Sequence, residues 1–153
     1  MKQLLFFIPV ILLITSCGQK VIFEKKEKIN GLWLYNNTVK FEYTITDTTK
    51  AYDLILKIEH TSTFSYENLY VNTTTIFPDT SKLTTALSLQ LADDSGSWLG
   101  KCGSDRCSTE IYLSSSAYFK KSGIYVLIFE QHSRKDSLEG ISALTVRVSE
   151  SQI

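Results

Sequence analysis

After residue 38 the chain alternates apolar and polar positions with the period-2 rhythm of a strand. Val39, Phe41, Tyr43 and Ile45 share one face, and Lys40, Glu42, Thr44 and Thr46 take the other. Asp47-Thr48-Thr49-Lys50 has turn chemistry, and Tyr52, Leu54, Leu56 and Ile58 resume the alternation through His60. Tyr66 to Ile76 is a third strand, rich in Tyr, Val and Thr and stopped by Pro78-Asp79. Leu83 to Ala92 follows, with Leu87, Leu89 and Leu91 aligned; its leucines leave a helix open as an alternative. Asp93-Asp94-Ser95-Gly96 predicts a turn, Ser97 to Gly100 a short strand, and Thr109 to Leu113 another. Gly123 to His132 is apolar on both faces, as a strand buried on both sides or lying centrally would be. Leu144, Val146 and Val148 close the series. About eight short strands punctuated by turns predict an all-β fold, an antiparallel β-sandwich with a jelly roll as one candidate order. Closing such a sandwich requires contact between its first and last strands.

The start of the chain follows another rule. Met1-Lys2 is a short basic opening, and Leu4 to Ile14 is an apolar run. Thr15-Ser16-Cys17 ends it with small residues and a thiol. The run falls short of the roughly 20 apolar residues that span a bilayer, so it reads as a secretory signal over residues 1–16. The ordered sequence of basic, apolar and small residues before Cys17 looks like a bacterial lipobox, which makes Cys17 the expected site of a covalent lipid. Residues 17–30, with Glu24-Lys25-Lys26-Glu27-Lys28 at their centre, read as a lipidated terminus and solvated tether. Residues 31–153 are then a single domain.

Charge and cysteines narrow the functional classes. Sixteen basic and sixteen acidic side chains cancel, leaving no field that would gather nucleic acid. With Cys17 assigned to lipid, Cys102 and Cys107 remain as a pair in an exported protein, where a disulfide is the default. The competing arrangements are free thiols or a metal half-site completed by His60 and His132, although zinc sites use tighter spacing and a matched second pair. No metal and no other cofactor is expected.

Catalytic motifs are missing: there is no Gly-x-Ser-x-Gly elbow, no phosphate-cradling glycine loop and no His-Glu-x-x-His. His60 and His132 lie near the ends of predicted strands, where a solvated imidazole is the ordinary case. Asp93-Asp94-Ser95-Gly96 lacks the distal bidentate acid of a calcium loop and reads as a turn. Neither an enzyme nor a small-molecule substrate is implied. Aromatic side chains are the remaining currency for recognition: Trp33, Tyr66, Tyr70 and Trp98 could each anchor a partner, or plug the core.

Behind the lipobox the chain resembles the gliding-motility lipoprotein GldH family of the Bacteroidetes. The residues that carry the resemblance are Trp33, Val39-Lys40-Phe41, Asp47, Tyr52-Asp53, Tyr66-Glu67-Asn68-Leu69 and Leu91-Ala92-Asp93. Gly96-Ser97-Trp98-Leu99-Gly100, Phe119, Gly123-Ile124-Tyr125 and Leu138-Glu139-Gly140-Ile141 continue it. Glu59-His60 and Ser133-Arg134 depart from the family pattern as it would be expected to run. The resemblance implies a non-enzymatic lipoprotein, membrane-held through its lipid, working with envelope proteins of the gliding and type IX secretion machinery. A partner surface is expected around Tyr66, Asn68 and Tyr70. Asp47-Thr48-Thr49 and Asp136-Ser137-Leu138 look like Bacteroidetes O-glycosylation acceptors, at Thr48 and Ser137. Gly18-Gln19-Lys20 lacks the acidic residues that accompany surface export in this group, which favours the periplasmic face of the outer membrane. A surface glycan-binding module is the alternative, since sandwiches often present aromatic platforms to sugars.

Overall fold

The computed structural model describes residues 18–152; the expected signal at 1–16 and the expected lipid site at Cys17 lie outside them. Eight long strands form two antiparallel sheets: β1 (Val21–Lys28), β3 (Val39–Ile45), β4 (Ala51–Thr61), β5 (Asn68–Ile76), β6 (Lys82–Gln90), β8 (Arg106–Tyr118), β9 (Gly123–Gln131) and β11 (Ile141–Glu150). Three two-residue strands complete the set: β2 (Trp33–Leu34), β7 (Lys101–Cys102) and β10 (Ser137–Leu138). One sheet runs β1-β11-β4-β8-β7, the other β3-β9-β5-β6, and β10 pairs with β2 as a small third ladder.

The pairing is nested. Among the long strands the first pairs with the last (β1 with β11), and inward from them β3 pairs with β9, β4 with β8, and β5 with β6. This is the winding of a jelly roll, a long hairpin rolled into two sheets. The alternation drives it. Phe41, Tyr43, Val71, Leu127 and Phe129 from one sheet meet Tyr52, Leu56, Ile58, Leu144, Val146 and Val148 from the other in a single buried cluster. Gly123–Gln131 is an interior strand, flanked by β3 and β5, in keeping with its apolar sequence. Lys82–Gln90 is a strand at a sheet edge; Leu89 is buried, whereas Leu83 projects into solvent.

The tether expected at 17–30 is corrected here: Val21–Lys28 is a strand of the sandwich. An edge strand is hydrogen-bonded on one side only and commonly carries charge on its free side. Ile22, Phe23 and Ile29 pack against the core, with the Phe23 ring 5.8 Å from that of Tyr43. Lys26 reaches across to Glu59 at 2.6 Å. The charge run is therefore the solvated face of an edge strand, and the folded domain begins about ten residues earlier than its composition suggests.

At one end of the sandwich, the starts of β1 and β4 and the end of β11 converge on Asp53. This carboxylate accepts from the Ser151 hydroxyl at 2.6 Å, the Ser116 amide at 2.8 Å and the Gln19 side chain at 2.7 Å. Register shifts in the β4–β8 pairing around Tyr52–Ile55 accompany a positive φ of 49° at Ser116, and the Asp53 bond holds that unusual backbone. The other end is closed by the β2–β10 ladder and Trp33, fully buried, whose indole donates to the Asn37 carbonyl at 2.7 Å.

Candidate functional site

A concavity of about 870 Å³ opens at the Trp33 end. One wall is Ser65–Tyr70, which leads into β5; the other is His132–Lys135, between β9 and β10, and Leu69 and Leu138 form the floor. Each wall is fixed by hydrogen bonds from neighbouring residues. The Glu67 carbonyl accepts from the amides of Leu91 at 2.7 Å and Ala92 at 3.1 Å, and the Tyr66 ring packs edge-on against Phe64 with centroids 5.6 Å apart. Opposite, Gln131 is the last residue of β9, with its side chain buried. Its oxygen accepts from the Ser133 amide at 2.9 Å and its amide donates to the Lys135 carbonyl at 3.1 Å, so it shapes the loop from within. The His132 amide donates to the Tyr70 carbonyl at 2.8 Å and ties the two walls together.

Tyr66, Asn68 and Tyr70, expected as a partner surface, all line this groove. Tyr66 is 41% and Tyr70 50% exposed, large values for rings of their size. The sequence reading missed the opposite wall: His132, Arg134 and Lys135 are exposed and carry side-chain nitrogens, while Ser133 between them turns its amide and hydroxyl to Gln131. The available signal was a glutamine on the inward rhythm of β9 followed at once by a polar run. Such a glutamine must find partners, and a loop beside it is where they are found. The groove therefore offers two aromatic faces, an amide, cationic groups and the Glu67 carboxylate in one opening, means for gripping a polar chain or a protein surface.

His60 corrects a second expectation. It is fully buried, its ring 4.5 Å from the Trp98 ring and 5.7 Å from that of Phe64. Its Nδ1 lies 2.9 Å from the Thr61 carbonyl, an acceptor only, so Nδ1 carries the proton; Nε2 has no partner. Burial lowers its pKa and the imidazole is neutral. Trp98 itself donates to the Ser62 carbonyl at 3.1 Å. Gly140, at φ +92°, lets the β10–β11 turn pass so close to Phe64 that a Cβ there would fall 2.9 Å from the ring. His132 lies on the groove rim instead, and among the described residues no three His, Cys, Asp or Glu side chains gather as a metal set.

A disulfide joins Cys102 to Cys107 across the β7–β8 hairpin, with Cys107 buried opposite His60. Thr48 is half-buried in the turn that Asp47 organises by accepting from the Thr49 amide at 2.9 Å. Ser137 is half-buried in β10, paired with Leu34. Asp93 likewise accepts from the amides of Ser95 and Ser97, each at 2.9 Å, and organises its turn.

The class is defined by its winding and its open end: a jelly-roll β-sandwich with a groove of aromatic and polar side chains between loops at one end. Its sequence pattern over residues 21–148 matches the GldH lipoprotein family, and the chain belongs to that family. It is 30% identical over 152 residues, 95% of this chain and 93% of the relative, to a gliding motility lipoprotein GldH homolog of Christiangramia forsetii. It is 23% identical over 146 residues, 91% of each chain, to the gliding motility lipoprotein GldH of Flavobacterium johnsoniae. A structure of the infectious bursal disease virus Gx strain overlays with a TM-score of 0.34 at 13% identity, covering 87% of this chain and 30% of that one, a likeness too slight to carry an argument.

Proposed function

We propose that this chain is a non-enzymatic, lipid-anchored assembly component of the gliding machinery and of the type IX secretion apparatus associated with it. Its place is the periplasmic face of the outer membrane, anchored through lipid on Cys17. Membership of the GldH lipoprotein family and the names of the two relatives support the gliding role. The observation that carries the assembly role is the groove between Ser65–Tyr70 and His132–Lys135, where Tyr66 and Tyr70 stand half-exposed on hydrogen-bonded walls. Half-exposed tyrosines over a fixed floor resemble the unfilled centre of a protein interface, where aromatic anchors contribute most.

Replacing Tyr66, Asn68 and Tyr70 together with alanine should abolish crosslinking of the protein to envelope partners in native membranes while leaving its melting temperature within a few degrees. Undiminished crosslinking would remove the groove from the proposal. Digestion of the protein on intact cells by added protease would contradict the periplasmic assignment. Glycan binding remains a second reading because two tyrosines face side-chain donors across one opening, a pattern that also suits sugars. Retention of the protein on immobilised envelope polysaccharide, lost in the same triple variant, would favour it.

A further inference from the structure

The end of the sandwich opposite the groove has a composition that the assembly role does not use. The chain is fixed from its first described residues: Gln19 donates to Asp53 at 2.7 Å, and the Glu150 amide donates to the Lys20 carbonyl at 2.8 Å before β1 begins at Val21. Only Gly18 separates Gln19 from Cys17, and two residues of chain reach at most about 7 Å. A lipid on Cys17 would leave no length for a stand-off.

Four of the large apolar side chains that remain exposed sit at strand ends on this same pole. They are Val21 at the start of β1 (47%), Tyr118 at the end of β8 (60%), Ile124 near the start of β9 (53%) and Leu83 near the start of β6 (57%). The carboxylates of the pole are already engaged. Lys20 and Lys50 hold Glu150 at 2.9 and 2.8 Å, Lys121 holds Asp79 at 2.6 Å, and Asp47 accepts from Thr49. Lys82 and Lys120 make no ion pair among the described residues. A rim of tyrosine and aliphatic side chains with free lysines suits the headgroup region of a bilayer, where aromatic rings settle and lysines meet phosphate.

We infer that this pole, carrying Val21, Leu83, Lys82, Tyr118, Lys120 and Ile124, rests directly on a lipid bilayer and points the groove away from it. The inference rests on anchoring at Cys17. The long strands, at about 3.3 Å per residue, then place the groove roughly 30 Å from the headgroups. The protein is a post of fixed height and orientation, not a domain swinging on a tether.

The test uses the full-length lipidated protein in phosphatidylethanolamine vesicles containing phosphatidylglycerol and a nickel-chelating lipid. Nitroxides are attached through Tyr118→Cys, Ile124→Cys or, at the groove, Tyr66→Cys. Relaxation by surface nickel should be several-fold stronger at 118 and 124 than at 66. Equal relaxation at the three sites, or stronger relaxation at 66, overturns the orientation. Cys17→Ser separates the two ideas. Loss of vesicle binding in that variant supports the anchor, whereas retained binding with the same contrast between labels would overturn the anchor and leave the pole's contact standing.

Discussion

The two ends of this sandwich bury polar groups in opposite ways. At the chain-start end Asp53 is surrounded by donors from Gln19, Ser116 and Ser151, and these hydrogen bonds hold its carboxyl below the ordinary carboxylate range. At the groove end His60 lies among Trp98 and Phe64 with one nitrogen unpartnered, and burial holds it neutral. The first arrangement ties three segments together through a charge that wants to be charged. The second tolerates an imidazole by refusing its charge. One end is fastened and the other is filled, and acid should find the filled end first.

Three changes would break or sharpen that contrast. Deleting Val21–Lys28 has the largest expected effect, because it strips a full edge ladder from β11 and removes Phe23 from the core. Cooperative thermal unfolding by circular dichroism should disappear; a domain that melts as before would restore the tether reading. Asp53→Ala comes next, leaving the Ser116 amide and its neighbours without their acceptor, at a cost of about 2 kcal/mol measured by urea denaturation. Its acid dependence has a definite sign. The folded-state pKa of Asp53 is depressed, so its contribution is present above the unfolded pKa of about 3.9 and is lost as pH falls through the lower folded value. The smallest effect belongs to His60. Its folded pKa is also depressed, so stability is complete above the unfolded value of about 6.5 and declines as pH drops below it. Amide exchange around Trp98 and Phe64 should quicken near pH 6 while the amides around Asp53 stay protected until about pH 4. His60→Phe should flatten the first response; a slope that survives the substitution would assign it elsewhere.

Much of the fold was legible because alternation is a local property. Val39 to Ile45 and Leu144 to Val148 reveal their buried faces by neighbours two residues apart. The order of strands within each sheet is not local, and nested pairing leaves no mark on any short window. β1 escaped notice because its charged face dominates its composition and only Ile22, Phe23 and Ile29 betray the core side. His60 is a case where the rhythm said more than the residue type: it continues the inward series Leu56 and Ile58, and its place near a strand end was the weaker argument. The groove's tyrosine wall was visible as two aromatics four residues apart, Tyr66 and Tyr70, but its facing wall comes from the far side of the chain, beyond the reach of any pattern.

The pairing of β1 with β11 also has a consequence in time. Val21 lies opposite Ser149, so the first strand made has no partner until nearly the whole chain exists. Loops that long close late and slowly. A newly synthesised chain therefore leaves the edge of its first sheet unpaired until β11 has been made.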